Sequence, residues 1–109
     1  MDSQIKRKVG FLLALPPSHT SASTVYGLAQ AALAAGHDVY LYLIDEGVKN
    51  MPTDQYRGLA QTGAKVFVCA YGCQQHDVST TDADPHMSLC GLVVLSGLID
   101  TCKPFLSFT

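Results

Sequence analysis

The sequence predicts an α/β/α fold of three layers around a mostly parallel sheet of four or five strands. Two observations lead there. Apolar runs of strand length alternate with segments of helical period, and the first run is hydrophobic almost throughout, as a strand covered on both faces must be. A third observation sets the scale: 109 residues, 48% of them hydrophobic, fit one domain over residues 1–109 that buries roughly 60% or more of its unfolded surface.

Residues 9–15 form the first run, closed by Pro16 and Pro17, and are read as the central strand. Over residues 24–35, Val25, Leu28, Ala29, Ala32 and Leu33 recur at the spacing of one helix face. Ser21 or Ser23 can cap that helix and Gly36 stops it. Residues 39–44 are β-branched and aromatic, which predicts a second strand, and the polar Asp45-Glu46-Gly47 after them reads as a turn. A short helix follows over residues 53–62 with Tyr56 and Leu59 inward, closed by Gly63, and residues 65–70 are the third strand. The β-α-β-α-β alternation predicts parallel pairing through right-handed crossovers.

Beyond that point the pattern weakens. Residues 74–85 are polar turn-formers, read as a loop leading to another helix. Residues 90–101 fit two descriptions: a buried strand at Leu92-Val93-Val94-Leu95, or a helical stripe of Leu92, Leu95, Ile99 and Cys102. Pro104 leads into a final strand at residues 105–108.

Composition excludes several function classes. The formal charge is -2 and the only basic cluster is Lys6-Arg7-Lys8, so no face can neutralise a phosphate backbone and no nucleic-acid partner is expected. No apolar stretch approaches the ~20 residues of a membrane span. Residues 11–15 are too short for a signal-peptide core, which predicts a cytoplasmic protein with its four cysteines reduced. Charged residues are 15% of the chain, against ~25% in an average domain, leaving surface for a partner to cover. Neither G-x-G-x-x-G nor a Walker sequence is present, so no cofactor is expected.

Reactive groups in such folds gather at the carboxyl ends of the strands. Cys69 ends the third strand and Cys73 follows four residues later, with Gly72 permitting a tight turn. A thiol there becomes a nucleophile if a helix N-terminus or a cation favours its thiolate. His76 can supply that charge, beside Asp77, and His19 lies at the carboxyl end of the first strand, facing the same edge. Both cysteines are alternatively plain packing residues, as Cys90 and Cys102 are read to be. A zinc site drawn from Cys69, Cys73, His76 and either His86 or Cys90 is a further use of the same side chains. The hydroxyl-rich segment 17–23 suits helix capping.

The order of these features resembles the DsrE/DsrF-like family, which includes the DsrE and TusD subunits of sulfur-relay complexes. The resemblance runs from the first strand through Ala34-Ala35-Gly36-His37-Asp38-Val39, Glu46-Gly47-Val48 and Gly63-Ala64-Lys65-Val66-Phe67-Val68-Cys69 to Cys90-Gly91-Leu92 and the last strand. Its plan is shared with flavodoxin-like proteins, and it favours the helical description of residues 90–101. It implies a sulfur carrier or sulfurtransferase in which Cys69 accepts persulfide sulfur, with Cys73, His76 and His19 as candidate assistants. It also implies sulfur donor and acceptor proteins as partners and homo-oligomerisation as trimer or hexamer. The family's Arg-Gly element after the cysteine is replaced here by His76-Asp77. The rival from another class is a non-catalytic homo-oligomeric module that binds a small ligand.

Overall fold

The computed structural model describes residues 5–109. Its elements are β1 (Lys8–Leu13), α1 (Thr20–Ala34), β2 (Asp38–Leu43), a 3-10 helix (Asp45–Asn50), α2 (Asp54–Gln61), β3 (Lys65–Cys69), α3 (Ala70–Gln75), β4 (Met87–Cys90), α4 (Leu92–Thr101) and β5 (Phe105–Phe108). All five strands are parallel, in the order β4-β3-β2-β1-β5. β2 therefore holds the centre, and β1, read from sequence as central, lies between β2 and β5. No helix among the described residues is long and apolar enough to cross a membrane.

Topology decides where the helices go. The steps β1→β2→β3→β4 all move one way across the sheet, so right-handed crossovers put their connections on one face. The step β4→β5 runs back the other way, and α4 covers the opposite face. Register sorts the strand residues accordingly. On the first face Val9, Phe11, Leu13, Val39, Leu41, Leu43, Val66, Val68 and Met87 are buried under α1 and α2. On the second, Gly10, Tyr40 and Lys65 form one row and Leu12, Tyr42, Phe67 and Ser88 the next, several of them half-buried or exposed.

Local chemistry fixes the helix ends. α1 is capped by His19, whose Nδ1 accepts from the Ser21 N–H at 3.0 Å, where sequence pointed to Ser21 or Ser23. The imidazole reaches the first free amide because His19 itself holds the extended backbone of a cap. α1 ends at Ala35 followed by Gly36 at φ +86°, a left-handed conformation glycine adopts without cost. α2 starts at Thr53, whose hydroxyl accepts from Tyr56 N–H. Tyr56 and Leu59 face inward as expected, and the Tyr56 hydroxyl donates to Ala22 C=O at 2.7 Å, tying α2 to α1.

Two elements were hidden in the sequence. The loop read over residues 74–85 begins inside α3 and leads to a strand, β4, rather than to a helix. The segment read ambiguously over residues 90–101 divides: Cys90 closes β4, and Leu92–Thr101 is the helix that the resemblance favoured.

Candidate functional site

β3 and β4 are neighbours whose continuations leave the sheet on opposite sides, the first through α3 and the second through α4. Chains that part in this way leave a crevice at the carboxyl ends of the strands. The crevice is present. It is a cavity of about 500 Å³ lined by Ile44 and Asp45 after β2, by Cys69 and α3, and by Cys90, Gly91 and Leu92. Most of its lining is side chain or backbone without charge.

Cys69 stands at the junction of strand and helix. Its backbone is extended (φ -67°, ψ 113°), and its Sγ accepts the Gly72 N–H at 3.4 Å, so the cysteine caps α3 with its own sulfur. Gly72 is needed for a second reason. A Cβ there would stand 2.9 Å from Val48 Cγ1, so any larger residue would push the Val48 side chain away from α3. Cys69 is 5% exposed, buried apart from the side that meets the cavity.

Cys73 is one turn further along α3 and lies in the hydrophobic core, outside the cavity lining. Desolvation, followed by the neighbouring Cys69 sulfur, pushes its thiol up. His76 ends α3, and its Nε2 donates to Asp45 Oδ1 at 2.8 Å. Asp45, read from sequence as a turn residue without a partner, holds a left-handed φ of 53° and lines the cavity. His76 thus reaches the site only through Asp45. Its ring borders a separate cavity of about 520 Å³ together with Lys49, Arg57 and Asp84. His19, occupied in capping α1, does not line the Cys69 cavity.

The side chains weighed as zinc ligands do not converge. His76 is held by Asp45, His86 by Asp84 at 2.9 Å, and no group of three or more metal-ligating side chains is disposed around a point among the described residues.

Sequence reasoning missed two members of the site. Cys90, read as a packing residue, is the register partner of Cys69 and lines the same cavity. Burial pushes its thiol up. Tyr42, fully buried, donates its hydroxyl to Gly91 C=O at 2.9 Å, and the neighbouring Cys90 and Cys69 add to the burial that raises its own ionisation. No sequence signal singled out Cys90, because the four-residue strand it ends carries no readable apolar pattern.

Comparison with known proteins adds family and fold. The sequence profile of the DsrE/DsrF-like family matches residues 7–108. The crystal structure of the ychN protein from E. coli superposes with a TM-score of 0.79 at 16% identity, covering 95% of this chain and 100% of that one. The search of curated proteins found no match.

Proposed function

The chain belongs to the DsrE/DsrF-like family, and on that premise we propose that it is a sulfur carrier in which Cys69 accepts a sulfane sulfur and passes it to a partner protein. One observation carries this reading. Cys69 is the cysteine of β3's carboxyl end, with its sulfur at the wall of an apolar cavity and a backbone N–H directed at it. In loading, the Cys69 thiolate attacks the outer sulfur of a donor persulfide. The sulfur–sulfur bond of the donor breaks, the donor leaves as a thiol, and Cys69 carries the persulfide. In delivery, an acceptor thiolate attacks the carried outer sulfur and Cys69 is restored. A largely apolar cavity limits competing water around the bound sulfur.

Partners find an apolar surface around the site. Tyr71 and Leu92 line the cavity and are 65% and 60% exposed, and Val93, beside Leu92 at the start of α4, is exposed as well. This surface supports donor and acceptor docking and equally supports homo-oligomerisation as trimer or hexamer. The same surface and cavity favour one second reading, a non-catalytic homo-oligomeric module that binds a small apolar ligand.

Intact-mass spectrometry after exposure to a persulfide donor separates the two. The carrier gains one sulfur on Cys69, the gain is reversed by reductant, and Cys69→Ser abolishes it with the fold intact. Full loading of Cys69→Ser, or no sulfur on any cysteine of the folded protein, leaves the binding module as the reading.

A further inference from the structure

Cys90 has no part in that scheme, yet it stands closest to it in the sheet. It is directly opposite Cys69 in the β3–β4 register. Opposed residues of parallel strands project to the same face, and neighbouring strands run about 4.8 Å apart. That spacing falls inside the roughly 4.4–6.8 Å between Cα atoms that a disulfide accepts. Both cysteines border one cavity, and the buried Tyr42 hydroxyl holds the backbone just after Cys90 through Gly91 C=O at 2.9 Å. Cys73, the nearer cysteine in sequence, lies in the core outside the cavity.

We infer that Cys90 is the resolving thiol of this site: it attacks the inner sulfur of a Cys69 persulfide, closes a Cys69–Cys90 disulfide and releases hydrosulfide. The inference rests on the carrier reading. The lone pair of the Cys90 thiolate forms the new sulfur–sulfur bond. The bond from Cys69 Sγ to the sulfane sulfur breaks, and its electron pair leaves with that sulfur as HS⁻. The two cysteines are oxidised by two electrons and the sulfane sulfur is reduced by two. An external dithiol then reopens the disulfide by thiol–disulfide exchange and is itself oxidised. The chain would thereby hold two outlets for one sulfur, transfer to an acceptor thiol or release as sulfide. Burial of Cys90 slows the second, because a desolvated thiol supplies little thiolate. An acceptor protein therefore has time to compete.

The test follows reduced wild type, Cys90→Ser and Cys73→Ser after a pulse of inorganic polysulfide, with excess removed and no reductant present. Released hydrosulfide and the mass of each cysteine peptide are read over time. Wild type loses its persulfide with one hydrosulfide per chain and gains a Cys69–Cys90 cross-link. Cys90→Ser keeps the persulfide about ten-fold longer or more, and Cys73→Ser follows wild type. Equal persulfide lifetimes in wild type and Cys90→Ser, or a cross-link to Cys73, overturn the inference while leaving Cys69 as carrier. Absence of sulfur from every wild-type cysteine removes the carrier reading and this one with it. Cys90→Ala replaces the serine variant if a hydroxyl at that position disturbs folding, and the wild-type cross-link map requires no variant.

Discussion

The two faces of the sheet are built to different standards. On the α1/α2 face, the residues of β1, β2 and β3 are buried and only the edge strands leave apolar side chains exposed there, at Leu89 and Leu106; α1 and α2 are fastened together by the Tyr56–Ala22 hydrogen bond. The α4 face has one helix above it, leaving Leu12, Tyr40, Phe67 and Cys90 half-buried and Lys65 and Ser88 exposed. Both follow from one topology, in which three connections cross one way and one returns. The cysteines divide unevenly between them. Cys69 and Cys90 share the α4 face, and Cys102 packs there beside Gly10, where an added Cβ would meet its Cβ at 2.9 Å. Stability is concentrated on one side of the sheet and accessible thiol chemistry on the other.

Truncation should expose that division most sharply. Leu41→Ala removes a fully buried side chain from the central strand, and should lower unfolding free energy in urea by about 2–5 kcal/mol. Phe67→Ala, on the neighbouring strand but half-buried on the α4 face, should cost less than half as much despite its larger side chain. Equal costs would mean that the α4 face is as tightly packed as the other.

A smaller change probes the open face alone. Lys65 Nζ stands 5.2 Å from the centre of the Tyr40 ring, a cation–π contact at an exposed site. Lys65→Ala should cost about 0.5–1 kcal/mol, with sulfur loading of Cys69 unchanged. A cost like that of Leu41→Ala would place Lys65 in the structural framework.

The least effect at neutral pH comes from the thiols and grows with alkalinity. Burial is the first cause that raises Cys73, Cys90 and Cys102 above their ordinary value of 9.0. Below pH 9 the thiols are neutral in folded and unfolded chains, so the stability associated with them is intact. As pH rises above 9 the unfolded chain releases these protons first, and that stability is lost through the higher folded values. The urea midpoint should therefore fall as pH is raised above 9, and fall less in Cys102→Ala. A flat profile would mean that these thiols ionise alike in both states.

The sequence made the closed face legible and the open face obscure, for a physical reason. β1, β2 and β3 are buried on the α1/α2 side and carry long apolar runs, so their chemistry repeats along the chain. β4 is a four-residue edge strand, Met-Ser-Leu-Cys, with Ser88 and Leu89 exposed; too little of it is buried to imprint a pattern. α3 has six residues and a glycine, with no stripe to read. Cys69 was legible because it ends a clear strand, although the tight turn expected at Gly72 is instead the first turn of α3. Cys90 was not, because its relation to Cys69 exists only in the register between two strands. The cap of α1 was misread because serine is the commoner capping residue, whereas here the ring of His19 reaches the amide.

The returning connection also has a consequence in time. Val9 meets Val39 and Leu41 meets Val66 by closing short loops, whereas Gly10 meets Phe105 by closing almost the whole chain. The entropy of closure rises with the length enclosed, which favours an order of assembly in which the four sequential strands pair first. The wall that α4 gives to the cavity is then among the last parts to settle, so the thiol pair remains open to solvent, and to oxidants, until the chain has finished folding.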